Sequence, residues 1–224
     1  MKQTFVLILS FFYLSTYAQD CKNYIYFQNN KTVEMTIYNR KGDANGKQVY
    51  KISDVANSGG TTTATINSEM FDKKGKSIAK SVGGYKCNGG VMMVDMKMTL
   101  SPQQLEQFKN ASAKADDVYI EYPASMNVGD KLKDGTLSMD IDNNGLKQSL
   151  EMIVSDRKVE AKESVTTTAG TWECYKISSK IKLTIKTMGI GIPLNLEQTE
   201  WFAHNFGVVK TESKNGGTAI TSIN

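Results

Sequence analysis

Apolar and polar residues alternate with a period of two along most of this chain. In the longest run, from Trp172 to Lys186, one face carries Tyr175, Ile177, Ile181, Leu183 and Ile185, and the other carries Lys176, Lys180, Lys182 and Lys186. Successive side chains of a β-strand point to opposite faces, so this pattern predicts a half-buried strand with a solvated lysine face. Shorter runs over 33–38 and 159–165 repeat the pattern.

Two residues that are usually buried, Trp172 and Cys174, fall on the lysine face by the same alternation. Either that end of the face is covered, or a β-bulge shifts the register there.

Turn sequences separate the alternating runs, most clearly at 42–46, 72–75, 88–90, 143–145 and 215–217. Asn-Gly and related pairs supply the positive φ that tight hairpins need, so the sequence predicts about ten to twelve antiparallel strands.

One segment departs from the strand pattern and predicts an amphipathic helix over 101–115. Ser101 fits an N-cap, Pro102 fits the first turn, and Gln104 completes a capping box. The apolar stripe of this helix consists of Leu105, Phe108, Ala111 and Ala115. A lone amphipathic helix must bury its stripe, so we expect it to act as a lid over an open face of the sheet.

The first eighteen residues have the organisation of a secretory signal peptide. Lys2 precedes an apolar run over 5–14, and small residues stand before a cleavage point after Ala18. The run is shorter than the about 20 residues that span a bilayer. We therefore expect an exported protein with a single β-rich domain over 19–224 and no transmembrane segment. Gln19-Asp20 before Cys21 does not match a lipidation site.

Charge and cysteine content narrow the class of protein further. The 27 basic and 23 acidic residues give a net charge of only +4, which does not indicate a nucleic-acid partner. Three cysteines in an oxidising compartment allow one disulfide and leave one thiol, and the sequence leaves all three pairings open. Cys87–Cys174 is favoured because both residues lie in strand-like segments and Cys21 lies near a terminus.

A calcium-loop template is matched over residues 140–151. Asp140, Asp142, Asn144 and Glu151 occupy its oxygen-ligand positions and Gly145 its sharp turn. However, Lys147 stands where the EF-hand usually carries an aliphatic residue, and the flanks are typical of strands. The alternative, a hairpin turn rich in Asp and Asn, is favoured.

A methionine-dense segment, 92–98, is the best candidate for contact with an apolar ligand. On a strand, Met92, Val94, Met96 and Met98 would share one face. Such a face suits a soft ligand surface or a copper site, but no neighbouring His or Cys supports copper, and ordinary core packing is favoured. We expect Met92, Met96 and Met98, together with Leu105 and Phe108 of the lid helix, to contact any apolar ligand.

No sequence motif indicates catalysis or a cofactor. The chain has one histidine, His204, and lacks a nucleophile elbow, a phosphate-binding glycine loop and a zinc-protease motif. A Cys174/His204 nucleophile pair is formally possible, but an exported cysteine is more often bridged. We therefore expect a protein that is not an enzyme and needs no cofactor, with a hydrolase as the weakest alternative.

Two stretches, 159–177 and 199–212, together with Asp20-Cys21, the 72–76 turn and 86–90, resemble the TapB-like family of exported bacterial proteins. The resemblance spans essentially the whole mature chain. It implies an all-β, strongly curved antiparallel sheet or half-barrel, similar to those of lipoprotein carriers, and a periplasmic more than an extracellular location. The family provides no established activity or catalytic residue, and His204-Asn205-Phe206 departs from its smaller residues before Gly207.

These observations lead to one functional hypothesis and two alternatives. The first is a non-enzymatic protein of the cell envelope whose curved sheet encloses an apolar cavity for a lipid or another hydrophobic ligand. The second is a structural or interaction module that binds another envelope protein through an exposed apolar patch over a packed core. The third is a hydrolase, which would need a cleft with convergent polar groups.

Overall fold

The computed structural model describes residues 21–100, 104, 107–108, 112–113, 118–143 and 145–224. In this described chain, thirteen strands form one antiparallel sheet. The strands are β1 (Thr32–Asn39), β2 (Ala44–Ser58), β3 (Thr61–Asp72), β4 (Ser77–Asn88), β5 (Val91–Asp95), β6 (Ser112–Ala113), β7 (Tyr119–Tyr122), β8 (Gly135–Asn143), β9 (Leu146–Thr167), β10 (Gly170–Thr187), β11 (Ile190–Ala203), β12 (Gly207–Ser213) and β13 (Gly216–Ile223). Three short 3-10 helices are η1 (Cys21–Asn23), η2 (Ile25–Phe27) and η3 (Met96–Thr99).

The sheet curls into a nearly closed barrel. Its strand order is β6-β8-β9-β10-β11-β12-β13-β1-β2-β3-β4-β5-β7, so β1 pairs with β13 and brings the two halves of the chain together. Tight turns join most neighbours, as the turn sequences predict; Asn143 and Leu146, for example, pair across a two-residue turn that contains Gly145 at φ +88°. The prediction of an all-β, strongly curved antiparallel sheet is confirmed.

The two ends of the sheet meet along a seam between β7 and β8. Gly135 of β8 packs so closely that a Cβ there would collide with Ile120 Cδ1 of β7 and would lie 2.9 Å from Met96 Sδ. Beside this contact, Arg157 Nη1 donates hydrogen bonds of 2.9 Å to the Glu121 and Lys133 carbonyls on the two sides of the seam. Side-chain packing and one arginine therefore join the ends where the described strands do not pair.

The N-terminal residues of the described chain belong to the core. Tyr24, Tyr26 and Phe27, around η1 and η2, are buried. Cys21 forms a disulfide with Cys87 of β4, and Cys174 is a buried free thiol. The predicted Cys87–Cys174 pairing is therefore wrong. Cys174 lies on β10, opposite Ala203 of β11, while the N-terminal segment packs into the core and brings Cys21 to Cys87.

The predicted helix over 101–115 lies largely outside the described residues. Within it, the Phe108 N–H donates to the Gln104 carbonyl at 2.9 Å, which is the i→i−4 bond of a helical turn. Ser112–Ala113 instead form β6 and pair with Asp140 and Met139 of β8, so the prediction placed the end of the helix too late.

The predicted signal peptide also lies outside the described residues. Among those described, no helix is long and apolar enough to cross a membrane.

The alternation predicted over 172–186 is confirmed in β10. Ile177, which is fully buried, and the half-buried Ile181, Leu183 and Ile185 pack toward the core, whereas Lys180, Lys182 and Lys186 are exposed. Pairing of β10 with β11 is continuous, while two register shifts lie in the pairing with β9. Trp172 and Cys174 remain on the lysine face, and that end is covered: Trp172 packs on Phe206 at 5.1 Å between ring centroids.

Candidate apolar binding surface

The methionine segment lies inside the packed core. Met92 is on β5, but Met96 and Met98 are in η3, because β5 ends at Asp95, whose carboxylate accepts a hydrogen bond from the Lys97 N–H as a helix cap. The expectation of one continuous strand face is therefore wrong. All three methionines are buried, as is Phe108, whereas Leu105 lies outside the described residues.

A continuous apolar surface covers the inner face of β8 to β11, where "inner" denotes the face that packs toward the core. Cross-strand neighbours share a face of the sheet, so the pairing defines three apolar rows across it. The rows are Val154–Ile181–Leu196, Leu137–Met152–Leu183–Leu194 and Met139–Leu150–Ile185. We call Met152, Val154, Ile181, Leu183, Ile185, Leu194 and Leu196 the apolar track.

Exposure to solvent increases along these rows from β8 to β11. Leu137 of β8 and Met152 of β9 are buried, Leu183 of β10 is half-buried, and Leu194 of β11 is 49 % exposed. The buried side is covered by the chain that follows β5: Thr99 Oγ1 lies 3.6 Å from Met152 Sδ, and β6 pairs alongside β8. The track is therefore closed at one side and open at the other.

The open side exists because β11 extends beyond its neighbour. β12 pairs with β11 only from Gln198 to Ala203, which leaves 190–197 paired with β10 alone among the described strands. Pro193 lies within this free stretch, and proline is tolerated in edge strands because it has no N–H to offer a neighbouring strand. The free edge is thus poorly suited to pairing with an added strand. What this side of the barrel offers to a ligand is the apolar side chains beside the edge.

A polar cluster lies further along the inner face. The inward alternation continues from the track through the buried Ser179 to Ile177 and Glu200. Arg157 Nη2 lies 3.4 Å from Glu200 Oε1, and the Tyr122 hydroxyl donates to Glu200 Oε2 at 2.9 Å. Tyr122 stacks on Phe202 with ring centroids 4.4 Å apart. Burial, followed by the Glu200 charge, raises the pKa of Tyr122 well above its usual value.

The cluster is inaccessible to a substrate. The Arg157 side chain is completely buried, and its Nε has no hydrogen-bond partner among the described residues. Three further tyrosines fill the core beside it, with Tyr26 lying 5.0 Å from Tyr85 and 6.2 Å from Tyr50 between centroids. Burial raises the pKa of each of these phenols. These groups can stabilise the barrel, but they offer no cleft for catalysis.

Two concave clefts have mostly polar and charged linings, although one of them also includes Ile181 and Leu196 of the track. The clefts, of about 500 and 600 Å³, lie around Lys180, Glu197 and Lys214, where the β12–β13 turn approaches β10 and β11. Lys180 pairs with Asp156 at 2.8 Å, and Glu212 lies in the same region. The opposite charges are interspersed, so these clefts do not single out an anion or a cation.

The calcium-template segment forms a hairpin instead of a metal loop. Asp140 and Asp142 lie on β8, Glu151 lies on β9 opposite Ser138, and Asp142 Oδ1 accepts a hydrogen bond from the Gly145 N–H. Ligands spread along two extended strands do not form the compact loop that an EF-hand needs. No group of three or more acidic, His or Cys residues that could hold a metal occurs among the described residues; Asn144 lies outside them.

The surroundings of Cys174 and His204 do not favour a catalytic pair. Burial, followed by Glu173 and Glu163, raises the pKa of the Cys174 thiol to about 12. Burial, followed by Lys162, lowers the pKa of His204, whose ring packs edge-on against Tyr24 at 5.9 Å. A nucleophilic cysteine needs the opposite shift, toward the thiolate.

The fold defines the protein as a nearly closed, all-β antiparallel barrel with an open apolar track. The chain belongs to the DUF3108-like family, whose model matches residues 28–224. The family resemblance is thus shown at the level of this broad family, and the narrower TapB-like assignment is not confirmed. No curated protein matches the chain.

Two solved structures share this fold. A proposed lipoprotein from Parabacteroides distasonis is 21 % identical, with a TM-score of 0.73 over 92 % of this chain and 100 % of its own. A proposed exported protein with a YmcC-like fold from Bacteroides fragilis is 22 % identical, with a TM-score of 0.67 over 88 % of this chain and 96 % of its own. At this identity the likeness shows the fold, and neither name states an activity.

Sequence reasoning found three of the seven residues of the apolar track. The alternation over 172–186 identified Ile181, Leu183 and Ile185 as one face. It missed Leu194 and Leu196, although the stretch from Ile190 to Leu196 alternates in the same way. The Arg157–Glu200–Tyr122 cluster has no local signal, because its members come from three strands that are distant in the sequence.

Proposed function

We propose that this protein is an exported, non-enzymatic binding protein that holds a hydrophobic ligand, such as a lipid acyl chain, on the apolar track. The observation that carries the proposal is the unbroken apolar surface that runs from buried Leu137 to Leu194, which is 49 % exposed. Monomeric soluble proteins rarely leave a contiguous apolar surface uncovered unless something binds it.

The site proposed here differs from the enclosed cavity expected from the sequence. Met92, Met96, Met98 and Phe108 are buried in the core, where they serve packing. Met152 lies at the buried side of the track, opposite the half-buried Leu183. We therefore propose that Met152, with its flexible thioether, forms the closed wall against which a ligand chain packs.

Export is supported by the disulfide and by the relatives. The Cys21–Cys87 bond is typical of an oxidising compartment. The two similar structures are described as an exported protein and a lipoprotein, which favours the cell envelope and, within it, the periplasm. A sulfur in a disulfide cannot also carry a thioether-linked lipid, so we propose that Cys21 is oxidised and unlipidated. We also propose that the chain belongs to the narrower TapB-like group, because residues 168–177 and 199–210 resemble that group most specifically.

A photo-crosslinking residue at position 194 tests the proposal in living cells. We expect the purified protein to carry lipid or another small hydrophobic adduct, identified by mass spectrometry. The matched control places the same residue at Ile78, which is 46 % exposed on another part of the sheet. Equal adducts at both positions, or none at position 194, would contradict the proposal.

A protein partner is the second candidate, because a packed core beside an exposed apolar patch is also what an interaction module shows. The same experiment separates the two functions. Protein adducts of one defined mass at position 194, absent at position 78, would favour the interaction module. Hydrolysis receives no support from the comparisons, since neither the family nor the similar structures are described by an activity.

A further inference from the structure

The turns at one end of the barrel carry an exposed apolar cluster. In the described chain seven large apolar residues are exposed, and four of them, Leu146, Met188, Ile190 and Leu194, lie at this end. Leu194 belongs to the track; the other three lie at the β8–β9 and β10–β11 turns. We call Leu146, Met188 and Ile190 the apolar tip.

The two turns form one structural unit. The Met188 N–H donates to the Lys147 carbonyl at 2.9 Å, which fixes the β10–β11 turn against the start of β9. Met188 is 73 % exposed and Ile190 is 81 % exposed. Ile190 lies opposite Thr187, on the same face as Ile185, so the tip continues the apolar track outward. The tip is therefore a protrusion held in place, with its apolar side chains presented to solvent.

The charges around the tip are balanced. Lys147 of β9 lies opposite Asp142 of β8. One step further along, Ser149 of β9 lies between Asp140 of β8 and Lys186 of β10. Two positive and two negative side chains therefore surround the tip. A strongly charged partner would gain little from this surface, whereas an electrically neutral, apolar one meets no net repulsion.

The protruding shape of the tip favours a partner whose surface can deform around it. Two convex turns need either a matching apolar socket or a fluid surface that yields around them. The two clefts around Lys180 and Lys214 do not match the tip, because charged side chains line both of them and apolar ones, Ile181 and Leu196, line only part of one. A bilayer interface accepts protruding aliphatic side chains without a preformed socket.

We propose that the apolar tip docks on the surface of a lipid bilayer by shallow insertion of Leu146, Met188 and Ile190. This contact would bring the open side of the track to the membrane. It is separate from ligand binding, because the tip and the track consist of different residues.

Flotation of the purified, disulfide-bonded protein with phosphatidylcholine vesicles tests the docking. We expect the protein to float with the vesicles, and we expect Met188→Ser/Ile190→Ser to lower its partition coefficient at least about tenfold, because two side chains lose their burial in the lipid. The matched control is Val82→Ser/Val128→Ser, which alters two side chains that are 63 % and 60 % exposed elsewhere. We expect this control to bind like the unaltered protein.

Several outcomes would overturn the docking proposal. One is an unaltered protein that stays unbound, and another is an equal loss in both double variants. Binding that needs anionic lipid and disappears in high salt would indicate charge attraction instead of insertion. Self-association without vesicles that only the tip variant abolishes would assign the tip to a second copy. Loss of ligand adducts at position 194 alone, with flotation intact, would remove the proposed ligand but leave the docking.

Discussion

At the scale of single residues, Arg157 shows how the barrel tolerates a buried cation. Its guanidinium donates to two backbone carbonyls across the seam, pairs with Glu200 and lies over the Tyr122 ring, 5.0 Å from the centroid. A buried ion pair is weak evidence for stability, because the cost of removing both charges from water offsets their attraction. Loss of one partner is different, since it leaves the other charge buried without compensation.

We expect Arg157→Met to lower the free energy of unfolding by about 3–5 kcal/mol, because it leaves the buried Glu200 carboxylate without its cation. Arg157→Met/Glu200→Gln removes the orphaned charge and keeps an acceptor for the Tyr122 hydroxyl, so it should recover a large part of that loss. Urea unfolding followed by tryptophan fluorescence measures both.

The control is Lys158→Met, which breaks an exposed ion pair with Glu160 and should change stability by less than about 1 kcal/mol. If the single and double variants of the buried pair are equally unstable, the lost hydrogen bonds to the two carbonyls, and not the orphaned charge, account for the cost.

At the scale of elements, local sequence patterns predicted those strands and turns whose structure depends on residues that are adjacent in the sequence. Alternation placed β10, and Asn-Gly signals placed the β8–β9 hairpin. The prediction of one strand over 92–98 was wrong, because the strand ends at Asp95, which caps the following 3-10 helix. Asp is a favoured helix cap, so the sequence could have indicated this end. The Cys21–Cys87 pairing and the Arg157 cluster could not be predicted, because both depend on which distant strands the curved sheet brings together.

The cysteine arrangement makes a countable prediction. The native protein should show no thiol that reacts with a chromogenic disulfide reagent, because Cys174 is buried and its pKa is raised to about 12. Unfolding without a reductant should expose one thiol per chain. Two thiols would mean that Cys21 and Cys87 are not joined, as lipidation of Cys21 would require.

The disulfide itself should stabilise the attachment of the N-terminal segment to the core. It closes a loop with a sequence separation of 66, for which chain entropy predicts about 4 kcal/mol. Cys21→Ser should lower stability by roughly that amount. The exposed Ser58→Ala is a matched control that should have little effect.

At the scale of the whole molecule, closure of the barrel depends on how closely β7 and β8 approach. Strand pairing is continuous around the sheet from β6 to β7, but the final contact is made by side chains and by the hydrogen bonds of Arg157. The absence of a side chain at Gly135 lets Ile120 and Met96 pack against the β8 backbone. The seam is thus a close-packed contact, sensitive to a single methyl group.

Gly135→Ala should therefore destabilise the barrel by about 1–3 kcal/mol, because the new Cβ meets Ile120 Cδ1 and Met96 Sδ. Ile120→Val removes that Cδ1, so the double variant should be more stable than the sum of the two single changes predicts. Thermal unfolding of all four proteins gives the coupling energy. Gly84→Ala is the control, since its nearest atom is the Tyr119 hydroxyl at 3.3 Å, a contact that a small shift relieves. Additive effects of Gly135→Ala and Ile120→Val would show that the two strands do not meet at this contact and that the barrel closes elsewhere.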